Sequence, residues 1–561
     1  MNRTAEGTLW GYITAQGQWG IVPEFESADD FQPNGLAIVQ KNGRSGLIDS
    51  SGRMVVAAKY ETILPFSDGL AVVGTDQGFQ VINQLGALVT QRIYSYINPY
   101  REGRALFSVT NTDGQSGYGY LDLQGNEIIS PQFLQGNDYQ NGKALVQTAE
   151  RQFALIGRGG EHLTAYPYPF VGPLGDGRLA FQKEANGKYG YLDEQGAVVI
   201  PPLFTGAQPF QDGRAVVNTA SDYLNLYGLI DRRGSFVVKP EYNDIGQLGE
   251  ERVAIGIALD PEEPYRGSKY ALADKNGRRL TDFLFDDVMD YKQGLASVTT
   301  GDQTFFINKN GQKPPGMPVV PGNGTLILVG ALIKAYVDNR LSYYGPMGRL
   351  IWEQGKIIPL GSQYRVLEAK YKPNRDYLVY YPQVEGMVNE ATEKQVNQRL
   401  AELSEVVPVD PAVQLDYSYT GDFSVVFFQK QLLVLEMNGY RFPFGAAHGM
   451  PSRTHAKLDL VTGQFYELKD LFKPGSSYVL VLSEIVAKKI KNDPEYSYVW
   501  PDDYKGIKPE QPFYVTGDSL YLYFTPYEIA PYAAGFPTFR IPFGQIREII
   551  DEKAPFWRSF H

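Results

Sequence analysis

Four histidines and no cysteine bound the chemistry open to this 561-residue chain. Without cysteine there is no disulfide scaffold, thiolate metal site or cysteine nucleophile. His448 and His455 flank one loop, but zinc needs a third ligand and a close neighbour, and none stands at motif spacing. No metal or cofactor is therefore expected, and His448 reads as a loop-bracing hydrogen bonder. No Gly-x-Ser-x-Gly elbow presents a serine nucleophile. Carboxylates cluster at Asp286/Asp287/Asp290, Glu262/Glu263 and Asp502/Asp503. Acid–base work on a glycoside needs two of them facing across a cleft; adjacency in sequence does not supply that, and solvated turns are the simpler reading. The loop from Tyr496 through Tyr498 and Trp500 to Tyr504 gathers rings of the kind that dominate interfaces. It suits a partner surface or packing on its own domain, and packing is the favoured reading.

Composition narrows the classes further. A net charge of −11 disfavours broad nucleic-acid binding, which needs a basic face. Hydrophobic content of 43% is too high for a disordered chain. The longest apolar run, Thr325 to Ile333, stops at Lys334, far short of the roughly 20 residues a bilayer demands. The N-terminal stretch shows no signal-type apolar core, so a cytoplasmic location stays open.

What would position any site is a repeat. Glycines stand at 17, 52, 86, 125, 160, 196, 234, 277 and 311, spaced 34 to 43 apart. An aromatic follows each of the first eight at +8: Phe25, Tyr60, Tyr94, Phe133, Tyr168, Phe204, Tyr242 and Phe285. A second glycine follows most of them at +17, with Glu251 in its place in the seventh unit. Asp or Asn three residues before the anchor predicts a tight turn closed by glycine. Alternating residues before it (Tyr189 to Asp193) and β-branched residues after it (Val198 to Ile200) predict a hairpin, and Gly213 to Val217 a third strand. The +8 rings are read as core staples between stacked units, not as ligand platforms. Small residues six before the anchor (Gly11, Gly46, Gly119, Ala154, Gly190, Gly228, Ala271) predict a close approach of another backbone or ring.

These residues resemble the WG-repeat (KWG) family, over residues 7 to about 312, best in 189–217 and 45–73. The fold expected is an all-β repeat array of about eight three-stranded units, read as an open, twisted array, followed by an α+β domain. The domains expected are the array over 1–312, a Pro/Gly-rich bridge with capping strands over 313–372, and the α+β domain over 373–561. In that last stretch helices are expected over 388–403, 476–491 and 543–550, with a hairpin around Gly517-Asp518.

Several marks in order carry a second resemblance: Tyr381-Pro-Gln-Val, Asn389, Asn397, Gly445-Ala-Ala-His448-Gly449, Leu458 to Gly463, Leu468 to Phe472, and Tyr527 to Gly535. They are similar to the extracytoplasmic domain of RsiV-type anti-sigma factors, a domain also found beside polysaccharide-deacetylase modules. The resemblance implies a binding module, a lysozyme-like protein or cell-wall glycan partner, and a place in the cell envelope. The candidate partner-binding residues are then Tyr496, Tyr498, Trp500, Tyr504, His448, Tyr527 and Tyr532. A non-enzymatic binding or scaffold protein is the expected function. The alternative is a carbohydrate-active enzyme with an acidic pair and aromatic platforms, suggested by the acidic balance, 39 Tyr and 5 Trp.

Overall fold

The computed structural model describes residues 2–5, 7–221 and 224–561. The chain divides into two compact units, Trp10–Glu353 and Met1–Leu9 with Gln354–His561.

In the first unit most repeats begin from the predicted Asp or Asn turn. Asp193 Oδ1 accepts the N–H groups of Gln195 (3.0 Å) and Ala197 (2.8 Å), and Gly196 closes the turn at φ +87°. Asp49 does the same, and hydrogen bonds from Ser51 and Arg53 hold its carboxyl down at about 2. In the copy that has Gly157 in place of aspartate, Glu161 folds back to accept from Gly159 (3.0 Å). A Cβ on Gly157 would lie 2.0 Å from that carboxylate, so the substitution comes as a pair.

Successive turns build antiparallel sheets, ten among the described residues of the unit and its entry strand. Their boundaries are offset from the unit read in sequence. The fourth sheet takes Ala105–Thr110 from one repeat and Ser116–Leu121 with Glu127–Phe133 from the next. The third strand of each unit thus pairs forward with the following hairpin, which locks repeat to repeat through backbone hydrogen bonds. Apolar clusters do the rest. Leu106, Tyr120, Ile129 and Phe133 of the fourth sheet pack with Tyr139, Val146 and Ile156 of the fifth. Phe25, Tyr60, Tyr94, Phe133, Phe204 and Phe285 are all buried, as core staples must be, and Tyr242 is half-buried.

The fifth sheet departs from the +8 rule. Opposite Gly46, Gly119 and Gly190 the outer strand bulges by two residues, and a Cβ on these glycines would lie 2.3 to 2.7 Å from a backbone oxygen. Facing Ala154 there is no bulge: Phe153, Ala154 and Leu155 pair consecutively with Tyr166, Ala165 and Thr164. The strand is two residues shorter there. The buried ring is therefore Tyr166 at +6, and the half-buried Tyr168 is not its equivalent.

The array is a closed circle, contrary to the open array expected. Trp19 of the first sheet packs edge-on against Trp352 of the tenth, 6.1 Å between ring centres. Lys334 pairs with Asp30 at 2.6 Å, and Gly17 leaves no room for a Cβ against Ile351. Residues 313–353 supply the outer strand Val319–Pro321 of the ninth sheet and all of the tenth. They join last repeat to first instead of presenting a polar cap.

A carboxylate ladder runs between the turns at the second glycine of successive repeats. Asp68, Glu102, Asp176, Asp212 and Glu250 each accept an N–H from the next turn, at Gly103 (2.7 Å), Gly142 (2.7 Å), Gly213 (2.6 Å), Glu251 (3.1 Å) and Gly294 (3.2 Å). Asn141 sits at the corresponding place, with φ +53°, and no bond to the following turn is seen. Asn141→Asp is therefore expected to add a rung and raise the ring's stability by roughly 0.5 kcal/mol, a charge-assisted bond discounted for exposure. Thermal unfolding of the variant checks it; a lowered midpoint counts against the ladder.

The terminal unit has a six-stranded sheet in the order Ile357–Leu360, Tyr364–Asn374, Tyr377–Glu385, Tyr417–Gln429, Leu432–Pro443, Met450–Asp459. Only the third and fourth strands run parallel, and helix α1 (Glu390–Leu403) connects them. The run Leu432-Leu433-Val434-Leu435 is apolar at every position because the sheet is covered on both faces. Leu433 and Leu435 pack with α1, and Leu432 and Val434 with helix α2 (Tyr478–Asn492) and the small sheet Phe513–Val515, Ser519–Tyr523, Thr538–Pro542. Asn389 caps α1 by accepting from Thr392, and Asn397 holds both the N–H and the C=O of Val384. The short helix expected over 543–550 covers only Phe543–Ile546, and a further short helix, not expected from the sequence, covers Pro555–Arg558.

Candidate functional site

The loop at the end of the strand Leu432–Pro443 brings Gly449 back over Tyr440. The Tyr440 hydroxyl accepts the Gly449 N–H (2.9 Å), and the Tyr532 hydroxyl donates to the Gly449 carbonyl (3.0 Å). Two tyrosines so clamp one residue by its N–H and its carbonyl. Glycine is required there, since a Cβ would meet Arg441 O at 2.5 Å and the Tyr440 ring at 2.7 Å. The clamp presents His448. Its Nδ1 lies 3.0 Å from the Gly449 carbonyl, which can only accept, so Nδ1 carries the proton and Nε2 is left as acceptor toward the Tyr527 hydroxyl (3.4 Å). The rings of His448 and Tyr532 are 4.3 Å apart, and those of Tyr527 and Tyr532 5.7 Å.

Tyr527 has left-handed backbone, φ +68°, a strained state for an aromatic residue. Glu528 maintains it: one carboxylate oxygen accepts from the Thr525 N–H and hydroxyl (both 3.0 Å), and the other meets Lys508 at 2.9 Å. The result is an outward ring that is 48% exposed, beside the exposed His448; Tyr440, which holds the other side of Gly449, and Met450, next to Gly449 in the chain, are exposed as well.

Of the seven candidate residues the fold unites three, His448, Tyr527 and Tyr532. Tyr496 is a core residue, stacked on Phe539 at 4.6 Å and 4% exposed, because the short helical turn Pro494–Tyr496 points it inward. Tyr504 is spent on α2, where its hydroxyl donates to the Ser483 carbonyl (3.0 Å). Tyr498 and Trp500 remain exposed, and the Trp500 N–H bonds Ile529 O (2.8 Å), tying their loop to the one that carries Tyr527. Tyr440 and Met450 are the additions. Both lie in strands, and nothing local in the sequence marks which strand residues overhang a loop.

The adjoining edge strand Met450–Asp459 is closed to strand addition. Tyr523 and the Lys457 amine take the carbonyls of Arg453 (3.3 Å) and His455 (3.0 Å), and Pro451 offers no N–H. A partner here meets side chains.

In the ring unit a cavity of about 670 Å³ is lined by Asp68, Glu102, Asp138, Arg101, Asn137 and Gln140, among others. Its carboxylates are committed. Asp68 and Glu102 are ladder rungs, and Asp138 holds Asn98 (2.8 Å) and Arg101 (3.3 Å). The Gly142 N–H leads the contacts that hold Glu102 below its ordinary pKa, the reverse of what a general acid needs. Among the described residues no group of three or more His, Cys, Asp or Glu is placed to hold a metal, and no helix is long and apolar enough to cross a membrane.

The repeat geometry agrees with a sequence family. The family described as WG containing repeat matches residues 10–44, 46–77, 81–112, 118–150, 189–220 and 227–255, and the family of unknown function DUF3298 matches 469–544. The chain carries WG repeats and a DUF3298 region. Its terminal part is similar to the anti-sigma-V factor RsiV of Bacillus subtilis, 26% identical over 211 residues, which cover 35% of this chain and 72% of that protein. It is also similar to the peptidoglycan-N-acetylmuramic acid deacetylase PdaC of Bacillus subtilis, 24% identical over 190 residues, 32% of this chain and 39% of that one. A DUF3298 structure from Pseudomonas aeruginosa aligns at 21% identity over 37% of this chain and 99% of its own, with a TM-score of 0.28.

Proposed function

We propose that this WG-repeat chain is a non-enzymatic binding protein of the cell envelope, whose DUF3298-containing unit engages a protein partner through Tyr440, His448, Tyr527 and Tyr532. One observation carries the reading. Three rings and an imidazole are held at the surface by a clamp that uses their own hydroxyls, with strained backbone at Tyr527. Strain of this kind persists where the surrounding structure over-determines it, and it gathers at ligand clamps. Tyr and Met are residues enriched where proteins meet. The likeness to RsiV supports a protein partner, and a lysozyme-like protein is the first to test. The carboxylates that line the cavity of the ring are engaged by backbone and side-chain donors, which supports a non-enzymatic role.

The test immobilises the full chain and passes over it hen lysozyme and, separately, insoluble peptidoglycan. Lysozyme is expected to be retained. Tyr527→Ala is expected to weaken retention about 30-fold, the roughly 2 kcal/mol typical of a hot-spot ring. Retention of neither probe, retention of peptidoglycan alone, or equal retention of lysozyme by the variant would each overturn the reading.

A further inference from the structure

Behind the ring patch lies a buried imidazole that the binding role does not use. His455 is 5% exposed and stacks on Tyr514, 4.5 Å between ring centres and 15° between planes. Its Nδ1 is 3.1 Å from the Tyr523 hydroxyl and its Nε2 3.1 Å from Glu436 Oε2. The groups that face it come from two sheets. Glu436, Arg453 and Lys457 belong to the six-stranded sheet; Tyr514 and Tyr523 belong to the small sheet, with Tyr521 stacked behind Tyr514. Lys457 lies over the Phe513 ring at 4.1 Å and meets the field of Glu467. The compartment therefore already holds two cations against one inner carboxylate, and that carboxylate is shared between His455, Asn438 (2.6 Å) and Arg453 (3.4 Å).

The same residues anchor the patch. Tyr523, bonded to Arg453 O, ends the strand that leads into Thr525 and Tyr527. Phe536, four residues after Tyr532, lies under the Arg453 guanidinium at 4.4 Å. Residues 524–535 are thus pinned at both ends to neighbours of His455. His448 and Gly449 immediately precede the strand that carries His455.

We propose that His455 is an acid-sensitive latch: its protonation loosens the small sheet from the six-stranded sheet and releases the loop that holds Tyr527 and Tyr532. The importance of that loop to a partner rests on the function proposed above; the latch itself does not. A third cation in this enclosed space has only Glu436 to face, a carboxylate that Arg453 and Asn438 already engage, and the bistable element is the docking of the small sheet. Burial, aided by Lys457 and Arg453 against the opposing pull of Glu436, keeps His455 below its ordinary 6.5. Such a group contributes stability that is complete above 6.5 and is lost as pH falls below it, up to tenfold in the opening equilibrium per unit of depression.

The experiment is amide hydrogen exchange on the full chain at about pH 7 and about pH 5, corrected for intrinsic rates. Exchange in 524–536 is expected to rise about tenfold in the wild type at the lower pH and to stay level in His455→Gln, which keeps a polar side chain without the titration. A level wild type, or an equal rise in the variant, would overturn the latch. Should His455→Gln fail to fold, ring NMR of the wild type decides: titration of His455 below 6.5 supports the latch, and titration at or above it sinks it. No partner enters these readouts. A pH-responsive loop on a chain that retains no lysozyme would defeat the proposed function and leave the latch standing.

Discussion

Arg3→Ala will unfold the terminal unit at lower denaturant, with a loss of about 3 kcal/mol, the lower end for breaking a buried ion pair by removing one partner. Arg3 sits in the short strand Asn2–Thr4 and is 8% exposed. Its guanidinium pairs with Glu368, whose side chain is 4% exposed, donates to Phe423 O at 2.6 Å, and lies 4.4 Å over the Phe423 ring. Alanine removes the cation, the hydrogen bond and the ring contact together. Arg3→Lys will recover only part of the loss, because an ammonium lacks the planar fork that reaches carboxylate and carbonyl at once. Urea unfolding followed through the Phe/Tyr-rich core of this unit is the measurement. An unchanged midpoint would show that the first strand is an ornament of this unit and not a structural part of it.

Gly190→Ala will cost the ring about 3 kcal/mol, the upper part of the range for overpacking. The added Cβ would stand 2.4 Å from Ile200 O, 2.8 Å from Pro201 C and 2.8 Å from Pro202 N. All three are backbone atoms of the bulged outer strand, and no rotamer change relieves them. Ala154→Gly in the fifth sheet is the control. That site has no bulge and already accepts a methyl, so the change will cost only about 1 kcal/mol, the strand-interior penalty of glycine. Calorimetry of the two variants side by side checks the pair; equal losses would refute the bulge as the reason for glycine.

The glycine pattern was legible because it reflects contacts within ten or so residues. The Asx turn, its closing glycine and the bulge opposite Gly190 form inside one hairpin, where sterics and a few hydrogen bonds decide the outcome. The fixed +8 offset failed at Tyr168 because two residues of bulge were absent, and Ala154 in place of glycine was the trace of that in the sequence. The candidate site was less legible. His448 lies some 80 residues from Tyr527 and Tyr532, and only the pairing of their strands and loops brings the three together around Gly449. Tyr496 and Trp500 share a ring-rich loop, yet one faces the core and the other solvent, because the helical turn at Pro494 sets the direction of each side chain.

By itself the sequence determined the module: turn, hairpin, sealed ring and forbidden Cβ, each enforced by local backbone geometry. The tertiary structure alone decided that ten sheets come round until Trp19 meets Trp352, and that the first residues serve the last domain. A small rotation between neighbouring sheets accumulates over the whole array. No single spacing encodes that sum, and the contacts that close the circle join residues more than 300 positions apart.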